Sequence, residues 1–412
     1  MRAITLLRAL LAVTALIVTR VRLEGAGTLV ASVRPMWRKP RCGECGKRAP
    51  GYDTLPKPRL WRALAFGPVE VFLEYAMRRV ECPRCGGVRV EQVPWAAFGS
   101  RFTLAFEEMV AYLAQLTDQT AVTKLMGVSW RAVGNIVERI VAERLDPTRL
   151  DGLRRIGIDE FSYRKHHRYV TTVVDHDRGK VVWTGKDKGG DTLRAFFDEL
   201  GAERLAQLET ITMDMSAGYL SAIHERAPHV TVVFDRFHVQ SLASNAVDQV
   251  RREQWRELRG SPDGHAIKNS RWSLLKNPWD LTRKQRQKLS DVQKNNLRLY
   301  RAYLLKEALA HALDYRQPWR ATEALDEWLA WASRSRLRPF VVLARTSRKH
   351  KNGILAYVQD RLTNGIVEGI NNRLRMIARR AFGFHCAEAL MGMLFLCCGG
   401  IQLHPPLPGS TH

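Results

Sequence analysis

Acidic residues are the scarce charge in this chain: 41 Asp and Glu face 65 Lys and Arg, leaving a net charge of +24 and a pI near 10.2. Such a deficit argues for a polyanionic partner, nucleic acid ahead of an anionic membrane surface, and says nothing about fold. Cysteine is sparse as well. There are seven in 412 residues, an odd number, and four of them stand in two CxxC pairs. That argues against a secreted disulfide framework and suits a reducing cytoplasm. Long apolar runs are lacking too. The best one, Ala3 to Val18, is interrupted by Arg8 and carries no small-residue cleavage pattern after it. It also falls short of the roughly 20 residues a spanning helix needs. It is expected as a helix or strand packing on the first domain. Internal repeats and low-complexity segments are absent, and no Ser or Tyr stands where a covalent recombinase would need its nucleophile. What remains is a chain long enough for two or three domains, with 45% hydrophobic residues to build their cores.

Cys42-Gly-Glu-Cys45 and Cys82-Pro-Arg-Cys85 are two knuckles. Each CxxC turn aims two thiolates at one point, and two such turns complete a tetrahedral, closed and therefore structural Zn²⁺ site. Gly46 and Gly86, one after each pair, suit knuckle turns. The intervening residues 46–81 are more than a ribbon usually needs, and Val69 to Glu74 is expected as a strand of its hairpin. Residues 102–144 read as helical. Within them Thr120 to Met126, a turn opening with Gly127, the N-cap Ser129 and a second helix from Trp130 have helix-turn-helix form. That second helix would turn Val133, Ile136 and Ile140 inward and offer Arg131, Asn135 and Arg139 to DNA. Pro147 and Gly152 then mark a linker.

Downstream, Ile156-Gly-Ile-Asp159 and Ile211-Thr-Met-Asp214 each end a short β-prone run in an aspartate. Between them lie two strand-like runs, Tyr169 to Asp175 and Lys180 to Gly185, and a helix from about Thr192 to Leu200. Strand, strand, strand, helix, strand, with carboxylates closing the first and fourth strands, is a ribonuclease H-like order. A fifth strand, Val230 to Phe234, ends at Asp235-Arg-Phe-His238, so Asp235 competes with Asp214 for the second position. Asp214 is preferred, because the fourth strand adjoins the first in this order. Asp235 and His238 are left to support the site or touch DNA. Glu160 should point to the opposite strand face from Asp159 and is set aside. Residues 243–355 are helix-forming and rich in Trp, and Trp at helical spacing (Trp328, Trp331) is expected in the core. The basic runs at 283–288 and 345–351 are expected on phosphate. Cys386, Cys397 and Cys398 are expected as buried thiols. Finally, Thr363 to Phe384 sets one carboxylate, Glu368, among Asn and Arg. Glu368, Asn372, Arg375 and Arg379 share one helix face, while Ile370, Leu374 and Ile377 form an apolar stripe on another. Gly365 and Gly369 beside Glu368 weaken a helix and call for another reason to be there.

Taken together, Gly157-Ile-Asp159-Glu160, Asp214-Met-Ser216, Asp235-Arg-Phe-His238 and Asn364-Gly-Ile-Val-Glu368-Gly-Ile-Asn371-Asn372 carry a resemblance. Over nearly its whole length the chain is similar to DDE transposases of the ISL-three insertion-sequence family. The resemblance implies Asp159, Asp214 and Glu368 as catalytic carboxylates. They would hold two Mg²⁺ ions, or Mn²⁺ in their place, with Asp159 bridging and the other two holding one each. It implies strand cleavage and strand transfer at inverted-repeat ends, with double-stranded DNA, both ends and target, as the partner. A homo-oligomer on DNA is expected because two ends must meet, in the cytoplasm at the nucleoid and with no membrane attachment. The expected architecture is multidomain α/β. It has a zinc-ribbon domain at 1–97, a helix-turn-helix DNA-binding region at 98–150 and a ribonuclease H-like catalytic domain at 151–412, interrupted by an all-helical insertion at about 243–355. Two other readings stay open on the residues alone. One is a nuclease of the same core, such as a junction resolvase, without strand transfer; the other is a catalytically inactive DNA-binding regulator.

Overall fold

The two knuckles are separated by more chain than one hairpin needs, and in the computed structural model the excess belongs to a different sheet. The structure describes residues 15–25, 27–164, 168–360, 364–380, 384 and 386–407. They fall into two compact units, one running to Leu145 and taking in the segment from Ile401, the other from Asp146 to Gly400.

In the first unit a four-stranded sheet has the order β1-β2-β5-β4, with β1 Leu16–Glu24, β2 Thr28–Pro35, β4 Arg59–Phe66 and β5 Val69–Tyr75. Alternating residues of these strands (Leu16, Val18, Ala31, Val33, Trp61, Val71, Leu73) are buried around Trp95, which meets Trp61 and Tyr75 edge-on at 5.6 Å. The period of two is what lets each strand bury one face and leave the other to water. The apolar N-terminal run is thus partly strand β1, while its residues 3–14 lie outside the described residues. β5 corrects the expected ribbon hairpin: it pairs in parallel with β2, from Thr28↔Glu70 to Ser32↔Glu74. The ribbon itself is a three-stranded sheet, β3-β6-β7, with β3 Gly51–Thr54, β6 Arg78–Glu81 and β7 Val88–Val90.

Three helices follow: α1 Leu104–Leu116, α2 Gln119–Met126 and α3 Trp130–Arg144. Each starts on a side chain that accepts an otherwise unsatisfied backbone N–H: Thr103 from Phe106, Asp118 from Ala121 and Ser129 from Ala132. Gly127 closes α2 at φ +60°, a left-handed conformation that favours glycine. Val133, Ile136 and Ile140 are buried as their spacing predicts, with Val137 and Val141 beside them.

The second unit is built on a five-stranded sheet in the order β10-β9-β8-β11-β12, namely Lys180–Lys186, Arg168–Asp175, Arg155–Arg164, Thr210–Met213 and Thr231–Phe234. β8, β9 and β10 are mutually antiparallel, whereas β11 runs parallel to both β8 and β12. Helices α4 Gly190–Leu200 and α5 Ala217–Arg226 share one core with Ile156, Ile158 and Ile211. After β12 the chain is helical from α6, Arg236–Leu258, through Arg334 to α7 Arg338–Lys349 and α8 Lys351–Asp360. Then α9, Asn364–Arg380, and α10, Ala387–Cys398, pack Leu374, Ile377 and Leu390 against Phe161, Val170 and Val174, the other face of the sheet.

Trp328 is in this unit's core, its indole N–H donating to the Leu305 carbonyl at 2.8 Å. Trp331 corrects the expectation for this pair, since it is exposed, as are Trp272, Trp279 and Trp319. Cys397 and Cys398 are buried, but Cys386 is exposed. Among the described residues no helix is long and apolar enough to cross a membrane.

Candidate functional site

Strand register decides which carboxylates meet. Gly157 of β8 lies opposite Thr212 of β11, and Thr212 and Met213 lie opposite Val233 and Phe234 of β12. Two residues on from Gly157, Thr212 and Val233 stand Asp159, Asp214 and Asp235. Because the three strands run parallel, these aspartates come level across one edge of the sheet.

Asp159 has a side chain only 14% exposed. Its Oδ1 accepts the Glu160 amide at 2.8 Å, and its buried Oδ2 has no hydrogen-bond partner among the described residues. Arg375 of α9 approaches that Oδ2 no closer than 3.8 Å. Burial pushes the Asp159 carboxyl up to about 6; the Glu160 amide opposes the rise and the nearby Asp214 charge adds to it. A buried oxygen left without a donor is costly and fits a hard cation, which takes carboxylate and water oxygens.

Asp214 receives the Nε2 of His238 at 2.8 Å, and the same nitrogen lies 3.9 Å from Asp235. Asp235 is also the N-cap of α6, accepting the Phe237 amide at 3.0 Å. The hydrogen bond to Asp214, opposed by burial, holds the imidazole's pKa above its ordinary value. One ligand atom each from Asp214, Asp235 and His238 lies within 4.8 Å of the others. The spacing of Asp235 and His238 carries the signal for this cluster, since an N-cap and the residue three on share the first turn. Their convergence on Asp214 has no counterpart in sequence.

Glu160 points away from Asp159, on the face occupied by α5, with Lys188 Nζ at 3.8 Å. It still lines the mouth of a cleft of about 650 Å³, together with Lys188, Asp214, Ser216, His238 and Asn245. Nothing in the sequence singles out Lys188 or Asn245 for this place. Glu368 belongs to α9, but its side chain lies outside the described residues. Asn372, Arg375 and Arg379 of that helix are exposed, opposite the buried Leu374 and Ile377. A Cβ at Gly369 would meet nothing within 4 Å, so packing does not require that glycine; Gly365 lies outside the described side chains.

In the first unit the four cysteine sulfurs converge. Cys42 and Cys85 are 4.0 Å apart and Cys45 and Cys82 are 3.7 Å apart. Four sulfurs at about 2.3 Å from one centre would stand about 3.8 Å from each other. The knuckles are alike: Gly46 N–H donates to Cys42 O and Gly86 N–H to Cys82 O, with both glycines at positive φ. On the recognition helix Arg131 and Asn135 are exposed. Arg139 lines one surface cavity with them, and its guanidinium pairs at 2.5 Å with Glu107, a buried carboxylate that needs a counter-charge. Arg62 of β4 donates to the Gly127 carbonyl at 2.6 Å and braces the turn before α3, a role with no sequence signal.

Three family descriptions match the chain. They are a transposase family over residues 156–394, the helix-turn-helix domain of transposase family ISL3 over 91–141, and the zinc-finger of transposase IS204/IS1001/IS1096/IS1165 over 38–85. The chain is similar to the transposase for insertion sequence element IS1557 of Mycobacterium tuberculosis, with 40% identity over 407 residues, 92% of this chain and 90% of that protein. It is also similar to the transposase for insertion sequence element IS1001 of Bordetella parapertussis, with 30% identity over 363 residues, 88% and 89% of the two chains. With aspartates level at the edge of a mixed sheet, a four-cysteine cluster and a capped helix-turn-helix, the chain belongs to the ISL3 family of DDE transposases.

Proposed function

We propose that this chain cuts DNA at the inverted-repeat ends of an insertion sequence and joins the freed 3′ ends to a target, with Asp159, Asp214 and Glu368 as its catalytic carboxylates. The observation that carries the reading is that Asp159 and Asp214 stand level at one sheet edge, with the Asp159 Oδ2 buried and without a hydrogen-bond partner among the described residues. The strand order supports a ribonuclease H-like core, residues 151–412, in which the helices between β12 and α9 are an insertion. Asp159, Asp214 and Glu368 would hold two Mg²⁺ ions, and the four-cysteine cluster one Zn²⁺. Bound Mg²⁺ supplies stabilisation of the developing phosphoryl charge and a more nucleophilic oxygen. The protein's own groups do the positioning: His238 fixes the Asp214 carboxylate by its Nε2–H, and Arg375 lends positive charge to Asp159. Arg131 and Asn135 read base edges, Arg139 meets DNA beside them while pairing with Glu107, and Asn372, Arg375 and Arg379 meet phosphate. Two copies act together on paired ends at the nucleoid, in domains of 1–97, 98–150 and 151–412.

The test uses full-length protein, an end duplex and a supercoiled target in Mg²⁺. Asp159→Asn, Asp214→Asn and Glu368→Gln should each abolish nicking and joining while end binding by gel shift persists. Nicking retained in Asp159→Asn would refute the assignment. Nicking by the wild type without joining would make the chain a nuclease of the same core.

A further inference from the structure

The carboxylate cleft does not stop at Asp214. It shares Leu242, Asn245 and Thr346 with a second cavity, of about 520 Å³, between α6 and α7. The two helices supply opposite walls. On α6 the lining residues Ser241, Asn245 and Gln249 recur every four positions and are exposed. On α7 Arg338, Val342 and Thr346 recur at the same interval. Residues four apart on a helix share a face, so each set is a ladder along the groove. Eight residues of helix rise about 12 Å, the length of roughly three to four stacked nucleotides of one DNA strand.

The lining suits bases better than phosphates. Among the described residues Arg338 is its one cation, and Glu253 stands in the same lining. Asn and Gln amides pair bidentately with a base edge, hydroxyls serve as donor or acceptor, and an apolar side chain meets the thymine methyl. Leu242 and Val342 supply the apolar contacts at 38% and 52% exposure. The amides of Asn245 and Gln249 have no hydrogen-bond partner among the described residues. Packing does not explain these polar residues either, because the core side of the two helices is filled by Ala243, Val247, Val250, Phe340 and Ala344.

We propose that the α6–α7 groove reads base edges of the nucleotides adjoining the scissile phosphate, giving the catalytic unit a sequence preference of its own beside that of the helix-turn-helix. The inference rests on the reading of Asp159 and Asp214 for where that phosphate lies. The test takes the full chain and an end duplex carrying 5-iodouracil in turn at each of the three positions on either side of the cut. Photocrosslinks should map to residues 242–249 or 338–346. In parallel, duplexes bearing every base at those positions are cleaved by wild type, Asn245→Ala and Gln249→Ala. Wild type should discriminate by about ten-fold at one or two positions, and the variants should flatten that preference to about two-fold. Crosslinks confined to other segments, or an unchanged preference in both variants, would overturn the proposal. So would a variant that alters only the oligomeric state in sedimentation, since the groove would then seat a second copy of the chain. Asp159→Asn should crosslink as wild type does. Crosslinks at α6 or α7 together with undiminished cleavage by Asp159→Asn would sink the carboxylate assignment and leave the groove standing.

Discussion

At the residue scale, Gly157 has a packing reason two positions before the carboxylate. A Cβ there would come within 3.0 Å of His176 Nε2 and 3.1 Å of Thr212 Oγ1, two atoms already bonded to each other at 2.7 Å. Gly157→Ala should cost about 1–3 kcal/mol in urea unfolding; a neutral substitution would show that the strands yield. His176 itself makes a prediction about pH. Burial pushes its pKa down to about 4, against an ordinary value near 6.5. The unfolded chain therefore binds a proton in that window that the folded chain does not, so stability falls as pH drops from about 6.5 towards 4. The slope attributable to this group is at most about 1.4 kcal/mol per pH unit. His176→Gln should remove that share of the slope, and equal slopes in both proteins would refute it. A third prediction separates the level aspartates. Asp235→Asn should keep measurable cleavage while Asp214→Asn does not, because the Asp235 carboxylate caps α6 and lies farther from the shared imidazole. The opposite result would exchange their roles. The aspartates were legible because each closes a short apolar run. The hydrogen bond from His238 to Asp214 was not, since it joins a helix turn to a strand end that only the register brings together.

Among the elements, the knuckles were readable and the hairpin between them was not. A CxxC followed by glycine constrains its own local turn. A strand's period of two gives its faces but never its partner, and β5 takes β2 from about forty residues upstream. Trp331 failed for a related reason: spacing along a helix does not say which face meets the core. The exposed Trp272 and Trp319 carry the guanidinium groups of Arg271 and Arg320 at 5.2 and 5.0 Å. Chelation, or Cys82→Ala, should release about one zinc per chain and unfold the β3-β6-β7 ribbon; full zinc content in that variant would refute the site. Beside the ribbon, Glu91 is buried and held by Arg78 in a two-pronged pair and by the Tyr75 hydroxyl. Arg78→Ala should lower stability by about 3–5 kcal/mol, because it strands a buried carboxylate. Thermal denaturation of the variant measures that loss.

For the whole molecule, the net charge of +24 predicts DNA affinity that falls steeply with salt. Replacing Arg283 and Lys284 by Ala should flatten the log–log salt slope by roughly 0.9 for each phosphate no longer neutralised and leave base preference alone. Arg131→Ala should do the reverse. The charge, the helix-turn-helix and the carboxylate motifs were legible in the sequence, but the division of the chain was not, because its first unit closes with its last described segment. Ile401 accepts a hydrogen bond from Gln115, Gln402 one from Arg144, and the His404 amide donates to Glu108 at 2.5 Å. Deleting residues 401–412 should lower the unfolding stability of that unit by the worth of a charge-assisted hydrogen bond, about 1.5–3 kcal/mol, and spare the other unit. Calorimetry that resolves the two transitions decides it. A ribosome makes Arg131 and Asn135 early and the segment that steadies their helices near the end. A chain cut short of residue 401 would therefore carry those helices without the hydrogen bonds to Gln115, Arg144 and Glu108 that close the unit.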